Sequence, residues 1–343
     1  MKKWLVGFLI LLITIIIVSV IFLLGNFKER YPASPLIKPF FEKPLDKYTI
    51  ENLRKRGGIP SEITFSGNKF YYSSDGKKIS GIINGATQSA TVKPAILLLH
   101  GSADEGEYFP GFGTQKVAEV LAKNGYVTFA PDFLGYGESD PDGHRDDFEN
   151  RFLTYTTNMD LIASICHAEL VSASLANASV NSNKLRDPDL RQDDSCKLML
   201  WGHSNGGQIA LTILTILPAG RQVPTVLWNP VTKSFPYNIL YYTDGYKDEG
   251  LWLRKATADF EKDYDVNKYS FDKYLDSIKA PIFIQQGEAD EWVPVRWNRD
   301  FNFKFQILNF KLVYKEYVGA DHNMVPKWNE AVKDTLNFFN NEK

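Results

Sequence analysis

Residues 198–212 constrain this chain more than any other stretch. Leu198, Met199, Leu200 and Trp201 form a short apolar run that reads as a buried strand. Gly202-His203-Ser204-Asn205-Gly206 follows as a match to G-x-S-x-G, and residues 208–217 then carry apolar side chains at helical spacing. Strand, tight turn and helix are the context in which that pattern holds a serine on a strained elbow, its hydroxyl exposed above a sheet. The turn is so sharp that a Cβ at either glycine would clash. G-x-S-x-G alone recurs by chance, so the rest of the chain must supply the partners such a serine needs.

The flanking segments supply a sheet. Residues 62–65, 69–73 and 78–83 are β-prone and are separated by Ser66-Gly67-Asn68 and Ser74-Asp75-Gly76, so they read as an antiparallel meander. Residues 93–99 form an apolar strand that ends in His100-Gly101-Ser102, and residues 115–123 form an amphipathic helix. A strand at 126–132, a helix at 151–165, strands at 223–228, 281–286 and 311–318, and a last helix at 327–339 complete the rhythm. Strands alternating with helices predict an α/β fold, a mostly parallel sheet with helices on both faces. With 343 residues, 44% of them hydrophobic, the chain can bury the core of one large domain. Its formal net charge of -2 argues against a nucleic-acid partner, which selects for basic surfaces.

Ahead of the sheet, residues 4–24 are a charge-free apolar run of about 21 residues, long enough to span a bilayer as a helix. Lys2 and Lys3 precede it. A cleaved signal peptide shares that pattern, but residues 22–27 offer no A-x-A-like cleavage site, so the expectation is an uncleaved transmembrane anchor over 1–25. Pro32, Pro35, Pro39 and Pro44 make residues 26–58 a stiff juxtamembrane spacer, with a short helix at 48–56. The α/β domain is then expected over 59–343, outside the cytoplasm and in contact with membrane lipid only through its single N-terminal pass. Residues 167–195 break the rhythm. They are polar, small and aperiodic, resemble a translated palindromic DNA repeat, and read as an inserted surface loop. The only two cysteines, Cys166 and Cys196, flank this loop. They are either a disulfide closing it in an oxidising compartment or two unrelated thiols.

A serine hydroxyl is a poor nucleophile near neutral pH and needs a base, and the base needs a carboxylate to fix its tautomer. Of the five histidines, His100 is bound into a strand-end turn, His144 and His167 lie in polar stretches, and His203 adjoins Ser204 with its side chain expected to point away. His322 lies between the last strand and the last helix, a loop at the same carboxyl edge as Ser204, and is the candidate base. Glu288, Asp290, Glu291 and Asp321 are the candidate acids. Asp290 sits just beyond a buried strand, whereas Asp321 is too close to His322 in sequence to turn onto its ring. The order Ser, Asp, His is that of one fold in particular.

Over roughly residues 78–343 the sequence resembles the α/β-hydrolases, in the branch of prolyl-oligopeptidase-like catalytic domains and dienelactone-hydrolase-like esterases. The matching pieces are His100-Gly101, Pro131-Asp132 with Gly135-Tyr136-Gly137-Glu138-Ser139, Gly202 to Gly207, Gly287-Glu288-Ala289-Asp290 with Val293-Pro294, and Gly319-Ala320-Asp321-His322. The resemblance implies a serine hydrolase with Ser204 as nucleophile, Asp290 as orienting acid and His322 as base. It further implies an oxyanion hole from the backbone N–H groups of Asn205 and Ser102. No cofactor and no metal are expected. The substrate would be a small-molecule ester, or a short peptide as in prolyl-oligopeptidase-like peptidases. A membrane-anchored binding protein without turnover is the rival from another class. Residues 229–277 are rich in Tyr, Trp and Phe and correspond to a cap-like insertion over the site, although aromatic packing of a helical insert explains most of them equally well.

Overall fold

The computed structural model describes residues 43–85, 94–104, 106–143, 148–176, 196–218, 221–308 and 310–342. The anchor expected over 1–25, the spacer up to residue 42 and residues 177–195 of the insertion lie outside them. Among the described residues no helix is long and apolar enough to cross a membrane.

The strands are β1 (Thr64–Ser66), β2 (Lys69–Ser74), β3 (Lys77–Asn84), β4 (Ala95–Leu99), β5 (Val127–Pro131), β6 (Leu198–His203), β7 (Thr225–Trp228), β8 (Ile282–Gly287) and β9 (Leu312–Tyr317). They form one sheet in the order β1-β2-β3-β5-β4-β6-β7-β8-β9. The meander β1-β2-β3 and the β3–β5 pair are antiparallel, and every pair from β5 to β9 is parallel. The helices are α1 (Ile50–Arg56), α2 (Gln115–Lys123), α3 (Glu149–Ala176), α4 (Asn205–Ile216), α5 (Tyr237–Leu240), α6 (Leu251–Asp263), α7 (Val295–Ile307) and α8 (Trp328–Asn341). This is the mostly parallel, helix-covered α/β architecture expected from the alternating pattern.

Period-two alternation sorts the strand side chains into two cores. Leu97, Leu99, Leu198, Leu200, Leu227, Ile282 and Ile284 face one side with α4 and α3. Ile96, Leu98, Met199, Trp201, Val226 and Phe283 face the other with α2 and α8. Each such side chain contributes roughly 1.5–3 kcal/mol by leaving water. Helix α4 is buried from Gly206 to Ile216, because it lies between the sheet on one side and α1 and α3 on the other.

Two boundaries differ from the sequence reading, and a third point left open there is decided. The compact unit begins at Leu45, not at residue 59. Leu45, Tyr48, Ile50 and Leu53 belong to the first core, so the helix expected over 48–56 is part of the folded unit rather than of the spacer. Polar bonds hold it there. Arg54 Nε donates to Thr215 O at 2.6 Å, and buried Asp160 accepts from Arg56 at 2.7 and 2.8 Å, from Ile59 N–H at 2.7 Å and from Ser74 O–H at 2.6 Å. A buried carboxylate stripped of its arginine costs about 3–5 kcal/mol, which makes this contact a firm latch. Second, the helix expected over 151–165 runs on to Ala176, so the first ten positions of the 167–195 insertion extend α3 instead of forming loop. Third, Cys166 and Cys196, left open above, are joined in a disulfide with Cα atoms 5.2 Å apart.

Candidate active site

Strand β6 ends at His203 and α4 begins at Asn205, so Ser204 alone makes the turn between them. Its backbone sits at φ 56° and ψ -121°, a region L-residues avoid at a cost of order 1–3 kcal/mol. Surrounding hydrogen bonds impose that conformation. Ser204 N–H donates to Trp228 O, and its carbonyl accepts from Gly207 and Val231 N–H, each at 3.0 Å. The glycines are required by close approach. A Cβ on Gly202 would lie 2.6 Å from the Gly206 carbonyl oxygen, and one on Gly206 would lie 2.0 Å from that of Leu99.

Gly101 passes so near the elbow that a Cβ there would lie 3.1 Å from Ser204 Cβ and 3.6 Å from its Oγ. That brings the loop carrying Ser102 beside the serine. Asn205 N–H opens α4, where first-turn amides lack partners within the helix and the dipole favours negative charge. Among the described residues neither the Asn205 nor the Ser102 N–H donates to a backbone carbonyl.

The loop is braced by groups to which the sequence reading gave no role. Buried Asp132, from the Pro131-Asp132 motif, accepts from Tyr108 O–H and Ser80 O–H, each at 2.6 Å. Burial raises its carboxyl above the usual range, against the pull of those two donors. Tyr136 O–H donates to Ala103 O at 2.8 Å. His100 stacks on Phe133 at 4.1 Å, and its Nδ1 lies 2.7 Å from Gly101 O. Burial pushes its pKa down to about 4, so near neutral pH the ring is uncharged and Nδ1–H donates to that carbonyl. The motif marked this loop, but nothing in it named Tyr108 as the partner of Asp132.

The acid–base half converges from two loops. Asp290 accepts from His322 Nδ1 at 2.9 and 3.0 Å and from the N–H groups of Trp292 and Val293, both at 2.9 Å. Its carboxylate is fully buried. Asp321 is taken up by its own turn instead, accepting from Asn323 and Val325 N–H at 2.9 and 2.8 Å. Glu291 accepts His322 N–H at 3.3 Å, which leaves Asp290 as the carboxylate on the ring. Among the described residues no group hydrogen-bonds His322 Nε2 or Ser204 Oγ. Such bonds are often long without substrate and tighten on binding.

His203 has a contact of its own with the base loop. Its Nε2 donates to His322 O at 2.9 Å, and the two rings lie 4.6 Å apart. Burial, and then the neighbouring His322, push its pKa down to about 4. Asn229, directly after β7, donates from Nδ2 to the same His322 carbonyl at 2.7 Å and accepts Gly287 N–H at 2.7 Å. Asn229-Pro230 reads in sequence only as a turn after a strand.

The aromatic stretch between β7 and β8 divides in two. Phe235, Phe260, Tyr269 and Phe271 are buried, and the first three pack against Phe148 or Phe152. Tyr237, Tyr241, Tyr246 and Trp252 are more than half exposed. Tyr241 and Tyr242 lie against Trp297 with ring centroids 4.7 and 6.3 Å apart. Among the described residues no group of three or more His, Cys, Asp or Glu side chains is placed to hold a metal ion.

A family model described as the alpha/beta hydrolase fold matches residues 94–219. The chain has that fold. Among solved structures it is similar to an acylaminoacyl peptidase of Pyrococcus horikoshii, at 15% identity and TM-score 0.54 over 82% of this chain and 42% of that one. A puromycin-hydrolyzing peptidase of Mycobacterium tuberculosis matches at 14% identity and TM-score 0.50, over 82% of this chain and 39% of the other. The chain thus spans about two fifths of each of these peptidases. Est1E of Butyrivibrio proteoclasticus with ferulic acid bound matches at 17% identity and TM-score 0.47, over 78% of this chain and 97% of that one. No curated protein matches the sequence.

Proposed function

We propose that this chain, built on the alpha/beta hydrolase fold, is a serine hydrolase that opens a carboxylic ester through an acyl-enzyme. One observation carries the reading: a serine held at φ 56° on a strand-to-helix elbow shares its sheet edge with a buried Asp290–His322 pair bonded at 2.9 Å. Ser204 Oγ attacks the carbonyl and passes its proton to His322 Nε2. Asp290 stays ionised, keeps the proton of Nδ1 on the ring and stabilises the imidazolium. The N–H groups of Asn205 and Ser102 receive the oxyanion, each donor being worth about 10²–10³ in rate. His322 then protonates the leaving group, and water repeats the cycle on the acyl-serine. This sequence of steps needs no cofactor.

An ester is the first choice of bond because it has the better leaving group. Peptide or amide cleavage is the second reading, since the same machinery opens that bond and both peptidases named above share the fold. The membrane setting is part of the proposal. In this reading residues 1–25 anchor the chain as a single pass and the catalytic domain lies outside the cytoplasm, a setting in which a Cys166–Cys196 disulfide would persist.

A fluorophosphonate probe should label the full chain and fail to label Ser204→Ala, with an unchanged melting curve. Hydrolysis of acyl esters of graded length, set beside N-blocked peptide amides, then separates the two bond classes. Equal labelling of Ser204→Ala removes Ser204 from the mechanism, and absence of labelling in the parent favours a binding protein without turnover.

A further inference from the structure

We propose that Asn229 is a positioning residue, whose one side-chain amide fixes the base-bearing loop against the strand end that leads to the acid. The inference rests on the roles given above to Ser204, Asp290 and His322.

Asn229 is fully buried and follows the last residue of β7. Its φ of 44° lies in the left-handed region, which Asn tolerates better than most residues. Its N–H donates to Gln285 O at 2.9 Å, which fixes the backbone against β8. The side chain then reaches two ways. Oδ1 accepts Gly287 N–H at 2.7 Å, while Nδ2 donates to His322 O at 2.7 Å and to Asp321 O at 3.3 Å. These partners determine the amide orientation, since a flipped amide would set its oxygen against two carbonyls and its NH2 against an N–H.

The gap it spans is narrow. A Cβ on Gly287 would lie 2.5 Å from Ala320 O and 2.6 Å from Asp321 O, so the β8 end and the His322 loop touch through backbone atoms. The preceding residue, Trp228, accepts Ser204 N–H at 3.0 Å. Residues 228 and 229 therefore contact the elbow, the acid-bearing end of β8 and the base loop together. Only an amide satisfies this arrangement. Asp would turn a carboxylate oxygen toward two carbonyls, and an apolar side chain would leave the Gly287 amide and one His322 bond unmade. His203 supplies the second donor to the same His322 carbonyl at 2.9 Å. With that carbonyl held from two sides, the backbone that carries the ring is fixed where Nδ1 meets Asp290 at 2.9 Å.

Asn229→Gly suits the positive φ and deletes only the clamp, whereas Asn229→Asp keeps the shape and reverses one half of it. Both are made in the full chain and assayed on p-nitrophenyl butyrate, with the fluorophosphonate labelling rate and the downfield proton signal of the His322 Nδ1–H bonded to Asp290. We expect kcat and the labelling rate to fall about 10²-fold, as for a reacting group displaced by about 1 Å, with KM nearly unchanged and the downfield signal lost. Asn158→Ala, which removes a buried amide whose Nδ2 donates only within α3, to Thr154 O, should keep kcat and the signal. A folded Asn229→Gly with parental kcat and an intact signal overturns the proposal. If that variant does not fold, Asn229→Asp decides by the same readouts, and failure of both to fold makes the residue structural and ends the proposal. Parental hydrolysis by Ser204→Ala would instead overturn the reading of the nucleophile, so the two failures are distinguishable.

Discussion

The two halves of the candidate site are held in different ways. The nucleophile half is local. Ser204, its flanking glycines and the Asn205 amide lie within five residues, and backbone atoms packed directly on that turn, Trp228 O, Val231 N–H and Leu99 O, impose the strain at Ser204. The acid–base half is remote. Asp290 and His322 lie on separate loops, and buried side chains from elsewhere, Asn229 and His203, hold them to each other. A local half fails by steric conflict, and a remote half fails by drift. The first failure should appear as lost stability and the second as lost turnover.

Gly206→Ala is the largest test of that contrast. The added methyl would sit 2.0 Å from Leu99 O and 2.6 Å from His100 O, both backbone atoms that cannot swing aside. The expected loss exceeds about 4 kcal/mol, so little folded protein should be recovered and denaturant melts should lack the parental transition. A Gly206→Ala protein with parental stability would mean that the elbow is less tightly built than its contacts imply.

Acid should weaken both halves together. His100, in the nucleophile half, and His203, in the acid–base half, have pKa values pushed down to about 4 by burial, below the ordinary value of 6.5. Between those values the unfolded chain binds the protons that the folded chain refuses. The stabilisation from each neutral ring is therefore full above about pH 6.5 and is lost as pH falls toward about 4, with about two protons taken up on unfolding. Urea melts over this range should show the slope, and His203→Gln should remove about one proton from it. An unchanged slope would place the titration in other groups.

The smallest test separates strain from chemistry at one residue. Ser204→Gly relieves the positive φ and Ser204→Ala does not, so the glycine variant should be the more stable by about 1 kcal/mol in denaturant melts. Both should be inactive. Equal stability would show that the elbow stores no strain at Ser204.

Much of the sheet was legible in residue order. Buried strands such as Leu198 to Trp201 are continuous apolar runs, and the alternation with helices implied parallel pairing before any contact was known. The elbow was legible for the same reason, since Gly202, Ser204 and Gly206 specify a turn within five residues. His322 emerged from its place between the last strand and helix. Less was legible where the determining partner lies far along the chain. Tyr48 and Leu53 read as spacer because what covers them, Phe152 of α3 against Tyr48 and α4 against α1, is invisible in their own neighbourhood. The start of the insertion read as loop because its composition is polar, although it continues the established helix α3.

Sequence by itself determined the fold class, the elbow and the set of residues able to serve as base and acid, because each depends on neighbours a few positions away. Tertiary structure decided that Asp290 meets His322, that Cys166 bonds Cys196, and that Asn229, His203, Asp132 and Tyr108 brace the loops. The physical reason is burial. A hydrogen bond between side chains remote in sequence is strong and specific only once the sheet has removed both groups from water, and no local pattern records which groups will meet there.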